Sequence, residues 1–136
     1  MSNNTTPTLP VQFNAANWFE IPTKDMDKAV RFYEKTLGVT LKRELFGDMP
    51  HAVFTAQNHD DRSVAGALVT GPHLTPGSKG TVVYLYSRDG VNAALARAQA
   101  AGATVVVPHM NIGENGFIAI IDDLEGNRVG LHALQA

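Results

Sequence analysis

The chain repeats itself, and that repeat limits its fold more than any other feature. The segment from Phe19 to Thr40 (FEIPTKDMDKAVRFYEKTLGVT) aligns without a gap to the segment from Val83 to Thr104 (VYLYSRDGVNAALARAQAAGAT), 64 residues further on. Asp25 falls on Asp89, Ala29 on Ala93, Gly38 on Gly102 and Thr40 on Thr104. Continued at the same offset, Val53-Phe54 falls on Phe117-Ile118 and Gly66 on Gly130, so the correspondence runs from Trp18 to about Leu68. Each copy is then one supersecondary unit that cannot bury its apolar surface alone, and the two must complete each other.

Within each copy the order of elements is legible. Asp25 and Asp89 stand at N-cap positions before the stripes Met26, Ala29, Val30, Tyr33, Leu37 and Val91, Ala94, Leu95, Ala98, whose spacing gives one apolar helical face. Gly38 and Gly102 supply left-handed stops. An extended run precedes each helix, over residues 17–22 and 81–87. Three more follow it, near 39–46, 50–56 and 63–69, then 103–108, 116–122 and 127–133, all rich in Val, Ile, Phe and Tyr and bounded by turn formers. The prediction is an α+β fold of two βαβββ modules whose sheets form a curved half-barrel trough. Residues 1–13 read as a flexible tail and 14–136 as a single domain, with module one at about 14–70, a linker at about 71–80 (GPHLTPGSKG) and module two at about 81–136.

Composition removes several functional classes. The 136 residues carry eleven basic and thirteen acidic side chains, a formal charge of -2, and the basic residues are scattered, so no electrostatic footprint for nucleic acid exists. The absence of cysteine excludes disulfides, thiolate metal sites and thiol nucleophiles. The tail has neither the basic nor the apolar region of a signal peptide, and no run is long enough to span a bilayer. A cytoplasmic protein with no membrane partner is expected. No Gly-x-Gly-x-x-Gly, P-loop or Gly-x-Ser-x-Gly element is present.

The stretches WFEIPTKDMDKAVRFYEKTLGV and FIAIIDDLEGNRVGLH resemble the opening strand and helix and the closing hairpin of the vicinal-oxygen-chelate superfamily, which holds glyoxalases, bleomycin-resistance proteins and extradiol dioxygenases. The resemblance spans residues 17–134, with Asp123-Leu124-Glu125-Gly126 in place of the commoner Asp-Pro-Asp-Gly turn, and is greatest for the branch related to lactoylglutathione lyase. It implies a divalent metal held by inward side chains from the first and last strands of each unit. The corresponding positions here are Trp18, Val82, Gly66 (with about a residue of slack) and Gly130, none of which carries a ligating side chain. No metal and no other cofactor is therefore expected, unless the ligand register is shifted.

Alternation across strands places Trp18, Glu20, Leu68, Val82, Tyr84, Tyr86, Arg128 and His132 toward the same trough. Three readings stay open. The set is structural filler, with Glu20 bonded to a backbone amide or Arg128. It is a pocket in which Trp18, Tyr84, Tyr86, Leu68 and Arg128 bind a small planar molecule while Glu20 and His132 orient it. Or Glu20 and His132 are catalytic, as an acid-base pair of a lyase or isomerase or as ligands of a displaced metal, with His51 or Tyr84 as a third. Whether the protein is an enzyme is left open, and a non-catalytic interaction or sequestration module is a further alternative. His51 reads as a strand-edge residue, His59, His73 and His109 as surface, and 109–116 as a flap. A homodimer paired through sheet edges is expected.

Overall fold

Asp25 accepts a hydrogen bond from the Lys28 amide at 3.1 Å, satisfying one of the donors that a helix leaves unpaired at its start. The helix it caps, α1 (Met26–Leu37), ends at Gly38, whose φ of 68° and bond to the Glu34 carbonyl make the left-handed stop. In the computed structural model, which describes residues 8–10, 14–55 and 63–136, α1 follows strand β1 (Trp18–Pro22) and precedes β2 (Lys42–Phe46), β3 (Met49–Phe54) and β4 (Ala65–Val69). The second copy runs β5 (Tyr84–Tyr86), α2 (Val91–Ala100), β6 (Thr104–Asn111), β7 (Phe117–Asp122) and β8 (Arg128–Ala133). The expected tail, residues 8–10 apart, and His59, expected at the surface, lie outside the described residues.

Two four-stranded sheets result, ordered β1-β4-β3-β2 and β5-β8-β7-β6, each with one parallel pair at the edge and two antiparallel pairs. The fold is α+β with two βαβββ modules, as the repeat implies. One continuous core lies between the helices and the sheets and draws on both modules, with Ile21, Val30, Tyr33 and Leu68 from the first and Leu85, Ala98, Ile121 and Leu131 from the second.

Four expectations need correction. Asp89 does not cap α2; Gly90 stands there, and the Asp89 carboxylate turns outward to the Arg97 guanidinium at 2.8 and 2.9 Å. The segment expected as a flap begins as strand, because β6 continues to Asn111 and only Gly113–Asn115 form a short 3-10 turn. His109, expected at the surface, instead stacks on Phe117 with ring centres 5.0 Å apart. The uniform offset also fails in the last strands. Glu20 sits opposite Ala67 as Tyr84 sits opposite Gly130, so the counterpart of Gly130 is Ala67 and not Gly66. Gly66 faces the helices under the Phe19 ring. Hairpins of unequal length absorb the difference.

A polar clasp joins the modules on the helix side. The Tyr33 hydroxyl donates to Asp123 at 2.6 Å, and the Thr23 hydroxyl and Lys24 amide donate to Glu125. The Asn127 amide donates to the Pro22 carbonyl at 2.7 Å. In return, Arg97 donates to the Thr36 carbonyl at 3.1 Å. The turn that carries the family resemblance is thus a fastening between the copies.

Candidate functional site

Ile21 is buried among the helices and Phe19 packs against the same core, so alternation turns Trp18 and Glu20 to the opposite, trough-facing side of β1. Where β1 meets the second module, a cavity of about 400 Å³ opens at the seam. Trp18, Glu20 and Pro22 form one wall, Arg128 the other, and Thr75 and Lys79 of the linker lie along it. The linker is held there by the Gly77 amide, which donates to the Asn127 side chain at 3.0 Å. It therefore helps to build the site as well as connecting the modules. A smaller hollow of about 150 Å³ lies between α1 and the β7–β8 turn, against Tyr33 and Asp123, on the face away from the trough residues.

The predicted site residues separate into groups. Trp18, Glu20 and Arg128 share the seam cavity. Arg128 is bound to Asp122 at 2.9 and 3.1 Å, a pairing that raises its pKa further and leaves Glu20 without the guanidinium as partner. Glu20 accepts instead from the Trp18 indole at 3.3 Å. Tyr84 and Tyr86 stand on the trough face of β5, 44% and 69% exposed, outside the seam lining. His132 faces the same way, but its Nε2 is 2.6 Å from the Asn115 carbonyl and so ties the 3-10 turn to β8. Glu20 and His132 are not joined by a hydrogen bond, and His132 does not line the cavity. Leu68 is a correction: it is completely buried among the helices and does not reach the trough, because the shorter correspondence in β4 reverses its phase. Val82 is half-buried between the linker and β5.

His51, expected at a strand edge, lies inside the site. It is 4% exposed, in the middle of its sheet, between Glu44 on β2 and Val69 on β4. Its Nδ1 lies 2.9 Å from the Met49 carbonyl and its Nε2 lies 3.8 Å from Glu20 Oε2, with the Phe46 ring 4.3 Å away. The alternation of Met49, His51 and Val53 against Ala52 and Phe54 held the signal: the latter pair are core-facing, so His51 must share the trough face with Glu20.

The second module fills the corresponding space with a ring. Tyr84 lies over Gly130, and a Cβ at residue 130 would fall within contact of the ring carbons. A ligating side chain there would require Tyr84 to leave. Across the seam the first-module counterpart of Gly130 is Ala67, buried beneath Val53, Val69 and Leu74 of the linker. Gly130, Ala67, Trp18 and Val82 themselves carry no side chain that can ligate an ion. Among the described residues no group of three or more His, Asp or Glu side chains is placed to hold an ion. Likewise no helix among them is long and apolar enough to cross a membrane.

Residues 15–131 match the family described as the Glyoxalase/Bleomycin resistance protein/Dioxygenase superfamily. Solved structures of similar fold include a glyoxalase/bleomycin resistance protein from a Streptomyces species, with 29% identity over 87% of this chain and 100% of the other at a TM-score of 0.61. A glyoxalase I mutant from Zea mays is 22% identical over 87% of this chain at a TM-score of 0.66, and here the match spans only 45% of the maize protein. A glyoxalase/bleomycin resistance protein from Albidiferax ferrireducens has a TM-score of 0.63 at 16% identity, covering 87% and 98% of the two chains. No curated protein matches the sequence.

Proposed function

This chain belongs to the Glyoxalase/Bleomycin resistance protein/Dioxygenase superfamily, and on that premise we propose that it binds a small organic molecule at the seam of its modules without the divalent metal many relatives carry. The observation that carries the reading is the seam cavity itself: about 400 Å³, with an exposed indole and a carboxylate on one wall, a size and lining suited to a small planar ligand. Trp18 would stack on the ligand, Glu20 would fix a donor of it, and Lys79 and Arg128 would meet acceptor groups. Proton-transfer chemistry on a carbonyl compound is within reach of Glu20. Its partner in that case is His51, since His132 is committed to Asn115.

Thermal unfolding against a panel of aromatic and carbonyl metabolites tests the reading. A ligand at about 100 times its Kd adds roughly 2.7 kcal/mol to the native state. Trp18→Ala and Glu20→Gln are expected to abolish the shift seen with wild type. Equal shifts in wild type and both variants would place the ligand elsewhere, and no shift with any compound would favour a purely structural trough. The rival, a metal-dependent lyase or isomerase with displaced ligands, predicts stoichiometric zinc, nickel, manganese or iron in protein purified without an affinity tag. A homodimer belongs to the same proposal, supported by Leu45, Phe46, Tyr86 and Met110, which stay exposed on the single chain. Light scattering checks it. A cytoplasmic location is proposed on the absence of cysteine alone.

A further inference from the structure

We propose that Glu20 and His51 form a proton-dependent pair that is the proton acceptor of the seam cavity, with Glu20 as the group that meets the ligand and His51 as the positioning residue behind it. This rests on the reading of the cavity as a ligand site. The argument starts from the Met49 carbonyl, which can only accept, so the Nδ1 that lies 2.9 Å from it must carry the hydrogen. A neutral His51 then has its lone pair on Nε2, and that lone pair faces Glu20 Oε2 at 3.8 Å. Two acceptors confront each other at an ion-pair distance, longer than a hydrogen bond, and the contact becomes favourable only when one proton is added. With it, the pair is an imidazolium beside a carboxylate or an imidazole beside a carboxylic acid; without it, neither atom gains from the other.

The neighbours preserve this arrangement. Phe46 covers the imidazole, and Val53, Val69 and Met49 surround it with apolar surface on the same face. The Trp18 indole donates to Glu20 Oε2 and sets the carboxylate's rotation, which leaves Oε1 to meet the ligand. Among the described residues, the charged groups on the trough face around His51 are Glu20, which reaches across β4 from β1, and Glu44 with Lys42 on β2, Glu44 being its cross-strand neighbour; β4 itself presents Val69. The ligand class that suits such an acceptor is a neutral carbonyl compound with an acidic C–H. Glu20 takes the proton on Oε1, the C–H electron pair stays on the ligand as an enolate, and the acid returns the proton to the same carbon or to another while Trp18 and His51 stand behind Oε2. No oxidant or metal is consumed.

The test uses the ligand-free protein, so it can fail while ligand binding stands, and the reverse. Melting temperatures are measured at about pH 5.5 and about pH 8.5, either side of the range in which an imidazole gains its charge, for wild type, Glu20→Gln, His51→Gln and the double variant. At the lower pH the double variant is expected to lose no more than the worse single one, because both singles break the same contact; at the higher pH the two losses add. Glu44→Gln is the control and should leave the coupling in place. If His51→Gln fails to fold, Glu20→Gln alone decides: it should lower the melting temperature by several degrees at the lower pH and leave it unchanged at the higher. Coupling that is absent at both pH values, or equal at both, overturns the proposal.

Discussion

The first module lays an aromatic ring over a glycine on its helix-facing side, Phe19 over Gly66, while the second lays one over a glycine on its trough-facing side, Tyr84 over Gly130. Both glycines are there because the ring leaves no room for a Cβ. The consequence differs because the face differs. In module one the ring seals the core, and the trough side of β1 is left to Trp18 and Glu20. In module two the ring occupies the trough itself, over Gly130. A duplicated unit has thus become one half whose first strand turns a carboxylate to the trough and one half whose first strand turns aromatic rings to it.

The sharpest way to break this comparison is to add the same methyl group to each glycine. Gly66→Ala would drive a Cβ into Phe19 where the ring is wedged beside Phe54, their centres 5.5 Å apart, and the expected loss is about 1–3 kcal/mol of stability. Gly130→Ala meets a ring that is 44% exposed and can swing into the open trough, so the loss should be less than about 1 kcal/mol. Chemical denaturation of both variants measures the difference. Equal losses would mean that the two rings are equally constrained and that the trough is not open at Tyr84.

How much of this was legible in the sequence follows the same division. The helices, their stripes and the order of strands were readable because periodicity and caps are local. The faces of β1 and β5 were readable because Phe19 and Ile21, like Leu85, alternate with polar or aromatic partners. The face of β4 was not, because a phase carried across hairpins of unequal length is lost by a single residue, and that residue moved Leu68 to the core; His51 was missed for another reason, its place beside Pro50 reading as a strand edge although β3 lies inside its sheet. The Asp89 reading failed for a different reason: an aspartate before a helix is a cap only if no guanidinium competes for it, and Arg97 is two turns away on the same side.

A second pair of equivalent positions sharpens the comparison through the clasp, where Tyr33 of module one reaches into module two and its counterpart Arg97 reaches back. The Tyr33 hydroxyl is buried and donates to a carboxylate, so Tyr33→Phe should cost about 1–2 kcal/mol. Burial first, then the charge and hydrogen bond of Asp123, push the Tyr33 phenol well above its ordinary 10.0. The fold therefore favours the protonated form: the contribution is whole below pH 10.0 and is lost as the pH climbs through the raised value. Wild type should lose stability above that point more steeply than Tyr33→Phe, and parallel curves would mean that the phenol is not held as the geometry indicates.

The smallest expected difference is between Asp25 and Asp89, which the repeat equates and the structure separates. Asp25 satisfies a helix amide that has no other partner, so Asp25→Ala should cost about 1 kcal/mol. Asp89 holds only Arg97, whose hydrogen bonds draw the Asp89 carboxyl below its usual range. That carboxylate is half exposed, so solvent and salt screen the pair. Asp89→Ala should consequently fall within error of wild type at high salt and only slightly below it at low salt. A loss at Asp89 as large as that at Asp25, and indifferent to salt, would mean that Arg97 needs its carboxylate to hold the Thr36 carbonyl, and that the outward pair is a working part of the fastening between modules.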